Sequence, residues 1–237
     1  MGEVSPERGD LTVSDYGWLS AEEKNFLAQM RFPKRRMEWL SGRWTAKRML
    51  LKALPALAGI PMAEISIEHH KHGYPLVQVE GQPLLGCLSI SHRGEKAAAA
   101  YAADDDIFIG IDVEWIEERH PAFLQDYFTV DEIEWVNSVC LEERAARTTL
   151  LWSAKEAALK ALRLGLAADT RLIEVHPGME KHGEDWLVLN YRSALPEEGY
   201  RLIGWWQQRG NTMLTLAVHF PDRETLSFCL REIYQNA

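Results

Sequence analysis

IFIGIDVEW, residues 107–115, reads as a buried β-strand, because Ile109, Ile111 and Val113 project to one face while Asp112 and Glu114 project to the other. Two carboxylates roughly 7 Å apart on such a strand repel each other, and burial raises their pKa unless a cation or hydrogen-bond donors compensate. A hard divalent ion is one solution, since it takes oxygen ligands and keeps room for substrate phosphate oxygens. A strand end that reaches solvent is the other. Immediately upstream, Asp104-Asp105-Asp106 forms a solvated turn, and this turn divides the chain into two halves, 1–105 and 106–237.

Downstream of the strand, a helical region is predicted over 121–139, and a stronger helix runs from Glu142 to Leu164 and stops at Gly165. Strands follow around 171–175, 186–191, 200–206, 213–220 and 226–230. Upstream, Ser20-Ala-Glu-Glu23 has the form of a capping box that opens a short helix to about Met30. Pro33 starts a long amphipathic helix to Leu54, with Met37, Leu40, Trp44 and Leu51 as its apolar stripe and most basic residues off that stripe. Extended segments then fall at 65–68, 76–79, 87–90 and 97–102, punctuated by Gly and Pro. Each half is thus a long helix with a few strands. The predicted fold class is α+β: two similar lobes, each a long helix on a small, mainly antiparallel sheet, with a cleft between them.

The 237 residues, 46% hydrophobic and 26% charged, suffice for a substantial core and exclude disorder, collagen-like repeats and coiled coil. No apolar run approaches the roughly 20 residues that span a bilayer, and the polar opening MGEVSPERGD carries no secretory signal. Three widely spaced cysteines form neither a disulfide framework nor a CxxC metal site, so the expected compartment is a reducing cytoplasm. A net charge of −9 argues against nucleic acid and anionic membrane as partners. Residues 31–52, however, carry eight basic side chains and one acidic one, so this segment is +7 and the remainder −16. One basic segment in an acidic protein suits a small anionic ligand.

Two further stretches carry polar groups in pattern. In LLWSAKEAALKAL, residues 150–162, Leu151, Ala154, Ala158 and Leu162 make a packing face, whereas Trp152, Glu156 and Lys160 recur every fourth residue on another side. That stripe either faces the cleft or is a surface Glu–Lys pair. In LSISHRG, residues 88–94, Ser91 and His92 end a strand and can donate to a phosphate, or serve as a cap or core hydrogen-bond pair.

Taken in order, RRMEWLSGRWTAKRML, the HGYP turn, SISH, FIGIDVEW, DYFTVDEIEWV and LWSAKEAALKAL resemble the 4′-phosphopantetheinyl transferases, in particular the larger single-chain, pseudo-two-fold type exemplified by surfactin synthetase activating enzymes. The resemblance runs from about Arg35 to Phe220, and the pairing of GIDVE with WSAKEAALK is its most specific part. It implies transfer of the 4′-phosphopantetheine group from coenzyme A to a serine of an apo acyl or peptidyl carrier protein, with release of adenosine 3′,5′-bisphosphate. It also implies a holo-[carrier protein] synthase that works as a monomer and is Mg²⁺-dependent. By the resemblance, Asp112, Glu114 and Glu156 match the Mg²⁺ carboxylates, Lys160 and His92 match pyrophosphate contacts, and Ser91 is a second donor. Glu156 is the preferred base for the serine proton, since Lys160 beside a pyrophosphate stays charged. Lys34, Arg35, Arg36 and Arg43 on the basic helix are the candidates for the 3′-phosphate of coenzyme A, or form a solvated face.

Two positions depart from the family pattern. Gly73-Tyr74-Pro75 stands where the family has Gly-Lys-Pro, and Arg163 replaces a glycine three residues after Lys160. These departures support an alternative, a catalytically impaired module that binds coenzyme A or the carrier protein. The intact carboxylates oppose it, and a phosphotransferase of another class lacks its glycine-rich phosphate loop.

Overall fold

The computed structural model describes residues 16–165, 168–182, 185–194, 200–222 and 234–235. The first half runs α1 (Ala21–Gln29), α2 (Pro33–Ala53), β1 (Ile65–His69), β2 (Pro75–Val79), β3 (Gln82–Pro83), β4 (Cys87–Arg93) and β5 (Lys96–Ala102). The second runs β6 (Phe108–Trp115), α3 (Pro121–Tyr127), α4 (Val130–Asn137), α5 (Leu141–Ala161), β7 (Ile173–His182), β8 (Trp186–Ser193), β9 (Tyr200–Arg209), β10 (Thr212–Pro221) and β11 (Tyr234–Gln235). The strands pair antiparallel in sheets ordered β1-β2-β3, β11-β5-β4 and β6-β10-β9-β8-β7. This is the expected α+β arrangement of long helices on antiparallel sheets. The strand predicted at 226–230 lies outside the described residues. No helix among the described residues is long and apolar enough to cross a membrane.

Local chemistry explains where the elements begin. Ser20 caps α1 as predicted: its hydroxyl accepts from the Glu23 amide at 3.2 Å, and the Glu23 carboxylate accepts from the Ser20 amide at 3.0 Å. The helical region expected over 121–139 comprises two helices, α3 and α4. Thr129 makes a second capping box with Glu132 that starts α4 afresh. Likewise Arg171 and Leu172 belong to a short 3₁₀ turn capped by Asp169 rather than to the following strand.

The buried face of α2 also differs from the predicted stripe. Met37 is 43% exposed, while Trp39, Leu40, Ala46, Met49 and Leu50 are buried together with Arg43 and Lys47. Lys47 lies inside because it pairs with buried Glu23 and donates to the Met62 carbonyl at 2.9 Å. Glu23 also accepts from the Ile67 amide on β1, 44 residues away. The second half repeats this device: buried Lys155 on α5 pairs with Glu132 at 2.9 Å and donates to the Thr170 carbonyl, and Glu132 accepts from the Val175 amide, 43 residues away. In each half, one capping carboxylate therefore ties a short helix, a long helix and a strand together.

The halves meet along β4 and β6, whose main chains are bridged by side chains. Cys87 Sγ, Ser89 Oγ and Ser91 Oγ of β4 accept from the amides of Ile109, Ile111 and Val113 of β6 at 3.4, 3.0 and 3.3 Å. Around this seam Ala98, Ala100 and Ala102 of the first half share one apolar core with Ile109, Ile111, Leu214, Leu216 and Trp205 of the second. On the other side of β6 the backbone of α5 approaches so closely at Gly110 that a Cβ there would lie 1.9 Å from the Ala157 carbonyl oxygen. Only glycine allows this approach, and it brings the last turn of α5 onto the strand that carries Asp112.

Candidate active site

The consequence of that packing is a polar cluster at the C-terminal ends of β4 and β6. Lys160, on the last turn of α5, donates to the Ile111 carbonyl at 2.9 Å and to Asp112 Oδ1 at 2.7 Å. Ser91 Oγ donates to the same Oδ1 at 2.7 Å while accepting from Val113. Asp112 is 1% exposed, and its second oxygen, Oδ2, is buried with no hydrogen-bond partner among the described residues. Ser91 is thus committed to positioning Asp112.

Glu114 points along the same face, as strand alternation requires, but it is met by two arginines that the sequence reading does not single out. Arg93 Nε lies 3.1 Å and Arg119 Nη2 3.2 Å from Glu114 Oε2, and both arginines also pair with Glu117. Burial, then the Asp112 charge, raises the Glu114 carboxyl above the usual range, and the arginines oppose this. Glu156, one turn before Lys160 on α5, is pushed up to about 7, first by burial and then by Asp112, with Lys160 acting against the shift. His92 ends β4 with its ring near Gly42 of α2. Its imidazole is held below the ordinary value, first by desolvation against the surrounding protein, with Lys160 and Arg43 adding to the shift and Glu38 opposing it.

The basic helix divides into unlike parts. Lys34 and Arg35 are exposed on its first turn, and no acidic residue accompanies them there. Positive charge at that end opposes the helix dipole. Arg36 donates to the Leu27 and Met30 carbonyls at 2.7 and 3.3 Å, closing the end of α1. Arg43 is 4% exposed and lines a pocket of about 310 Å³ with Phe26, Trp39, Ile67, His69 and three carboxylates, Glu22, Glu23 and Glu68; its Nε lies 3.7 Å from Glu23 Oε1. Burial lowers the Arg43 guanidinium to about 10, and Glu23 opposes the shift. Two donors at this pocket, Arg43 Nε and Trp39 Nε1, are buried without a hydrogen-bond acceptor among the described residues. Arg43 Nη2 lies 3.0 Å from His69 Nε2, and His69 Nδ1 lies 3.4 Å from the Gly73 carbonyl. His69 therefore takes the tautomer that donates to Gly73 and accepts from Arg43. The structure brings Ser91, Asp112, Glu114, Glu156 and Lys160 to one cluster, with His92 beside it, and places Arg43 at a second site.

The donor set suits a hard divalent cation: carboxylate oxygens, one of them an orphaned buried atom, and a Glu156 carboxyl raised first by burial and then by Asp112. With Glu114 turned to its arginines, no three His, Cys, Asp or Glu among the described residues are arranged to hold a metal ion. Asp112 Oδ2 and Glu156 are the groups left for one.

A sequence profile of the 4′-phosphopantetheinyl transferase superfamily matches residues 108–184, the span from β6 through α5 into β7. The chain is 36% identical over 89 residues to a holo-[acyl-carrier-protein] synthase of Streptococcus agalactiae, covering 37% of this chain and 75% of that protein. This chain belongs to the 4′-phosphopantetheinyl transferase superfamily. It is also 32% identical over 108 residues to the 4′-phosphopantetheinyl transferase psf-1 of Bacillus pumilus. That match spans 46% of this chain and less than half, 44%, of the psf-1 protein. Among solved structures, the "Chronobacterium ammoniagenes ACPS-CoA complex" aligns with a TM-score of 0.39 and 18% identity, covering 49% of this chain and 98% of that one. The transferase superfamily match thus lies on the elements that carry Asp112, Glu114, Glu156 and Lys160.

Proposed function

We propose that this chain transfers the 4′-phosphopantetheine group from coenzyme A to a serine hydroxyl of an apo acyl or peptidyl carrier protein. The observation that carries this reading is the Asp112–Lys160 contact beside an orphaned Asp112 oxygen, on the segment that matches the superfamily. In this reaction the serine oxygen attacks the phosphorus that bears pantetheine. The bond to the bridging pyrophosphate oxygen breaks, and adenosine 3′,5′-bisphosphate leaves with the electron pair. The serine proton passes to the Glu156 carboxylate, which burial and the Asp112 charge make more basic in the cation-free protein. Lys160 neutralises charge that develops on the phosphate oxygens, and the neutral His92 imidazole donates a hydrogen bond to them. Asp112 and Glu156 would hold Mg²⁺, with Glu114 as a third ligand when released from its arginines, and the ion supplies Lewis-acid neutralisation of the pyrophosphate. The Arg43 pocket takes the 3′-phosphate end, with Arg43 and Trp39 Nε1 as donors that must outweigh the Glu22, Glu23 and Glu68 carboxylates of the same pocket. Lys34 and Arg35 add long-range attraction, whereas Arg36 serves the end of α1. One chain supplies every one of these groups, so a monomer suffices.

Incubation with coenzyme A, Mg²⁺ and an apo carrier protein tests the reading by intact mass. A gain equal to one phosphopantetheine on the carrier is expected, and Asp112→Ala abolishes it. Coenzyme A binding without any gain, for acyl and peptidyl carriers alike, would establish the impaired binding module instead. Arg43→Met is expected to weaken coenzyme A by about tenfold or more and dephospho-coenzyme A much less, on the scale of one lost charge-assisted contact. Equal losses in calorimetry would remove Arg43 from the 3′-phosphate.

A further inference from the structure

The two departures from the family pattern touch each other across the halves. The guanidinium carbon of Arg163 lies 4.3 Å from the Tyr74 ring centroid and 4.4 Å from that of Phe108. Further rings extend the stack on both sides: His70 lies on Tyr74 with centroids 4.2 Å apart, and His219 on Phe108 at 6.1 Å. These rings are engaged with one another, so the stack is not a vacant platform for a ligand base. Arg163 is also held in the left-handed region, at φ 56°, a conformation that glycine adopts without strain. A non-glycine residue persists there when its surroundings over-determine it, and the two ring contacts do so.

What the stack joins gives it a role. On one side, the Arg163 amide donates to the Lys160 carbonyl at 3.1 Å, three residues from the side chain that holds Asp112. On the other, Tyr74 belongs to the turn in which the Tyr74 carbonyl accepts from the His70 amide at 2.8 Å and the His70 carbonyl accepts from Gly73 at 2.7 Å. Gly73 meets His69, and His69 meets Arg43. A continuous path of contacts therefore runs from the carboxylate cluster to the Arg43 pocket and crosses between the halves at Arg163–Tyr74.

We infer that Arg163 and Tyr74 form a clamp that sets the separation between these two sites, so that Arg163 is a positioning residue for a co-substrate that must occupy both at once. The inference rests on the transferase reading for its choice of ligand. Its structural part, order in the 70–74 turn, does not.

Arg163→Gly is the decisive variant, since glycine relieves the backbone while removing the guanidinium from between Tyr74 and Phe108. Coenzyme A, which reaches both sites, should bind about tenfold more weakly, and KM should rise with kcat nearly unchanged. Adenosine 3′,5′-bisphosphate, which fills the pocket side, should lose much less affinity. Hydrogen exchange at the His70 and Gly73 amides should accelerate about tenfold. Tyr74→Phe, which keeps the ring, should match the wild type, and Tyr74→Ala should lose no more affinity in the Arg163→Gly background than Arg163→Gly alone. Unchanged exchange at the turn, or equal losses for both ligands, would overturn the clamp. If the wild-type chain fails to bind coenzyme A, the transferase reading falls, and the exchange measurement alone decides the clamp.

Discussion

Asp112 has two unequal oxygens, and the difference organises the chemistry around it. Oδ1 is saturated by Ser91 and Lys160, while Oδ2 is buried and unmatched. A buried acceptor left without a partner costs about 1–3 kcal/mol, a loss that a donor or cation at Oδ2 would repay. Beside it, Glu156 is raised first by burial and then by the Asp112 charge. In the folded protein it keeps its proton up to about pH 7, whereas in the unfolded chain it releases it near the ordinary value of 4.5. Between these limits the folded state binds more protons, so stability falls as pH rises through this window. Denaturant titrations without divalent cations should show that decline, and Glu156→Gln should flatten it and leave the protein more stable at pH 8. Glu114, raised in the same direction, retains a smaller slope in the variant. An unchanged slope in Glu156→Gln would mean that Glu156 is not the group in question.

At the scale of elements, the site depends on how closely α5 lies on β6. Gly110→Ala would place a methyl 1.9 Å from the Ala157 carbonyl and 2.7 Å from the Ala161 amide nitrogen, both backbone atoms that cannot swing aside. The helix must then shift, and Lys160 loses Asp112. A destabilisation of about 3 kcal/mol or more is expected from overpacking of this kind, with loss of transfer even under conditions where the variant folds. Thermal unfolding and the intact-mass assay check the two parts. Both the strand and the helix are legible in the sequence, because FIGIDVEW alternates and WSAKEAALK repeats every fourth residue. The boundary at Thr129 is legible too, since Thr-x-x-Glu there is the counterpart of Ser-x-x-Glu at Ser20. The face of α2 was not legible. Hydrophobic periodicity assigns every charge to solvent, and the burial of Lys47 and Arg43 depends on Glu23, a partner on another helix. For the same reason Arg93 and Arg119 escape notice, since no spacing rule links them to Glu114.

At the scale of the whole molecule, the charge asymmetry has a structural answer different from its first reading. Of the eight basic residues in 31–52, Lys47 is spent inside on Glu23 and Arg36 on the end of α1, and Arg43 shares Glu23, so less of the segment's charge is open to an anionic ligand than the count suggests. The repeated Glu–Lys pair gives each half the same internal scaffold, which is why the halves share a plan without sharing sequence. We propose that 1–105 and 106–237 are two lobes of one folding unit. Their boundary crosses a continuous apolar core in which Ala98 and Ala100 of one half pack with Ile111 and Leu216 of the other. It also crosses the β4–β6 side-chain bridges, whose loss would leave buried amides of β6 without acceptors. Separating the halves exposes both at once. Unfolding of the intact chain should therefore be a single cooperative transition, with fluorescence and far-ultraviolet circular dichroism coincident and calorimetric and van't Hoff enthalpies equal. Neither half expressed alone should show a cooperative transition, whereas co-expression should restore one. Two resolved transitions in the intact chain, or a stably folded single half, would show instead that the lobes are independent and that the seam contributes little to either.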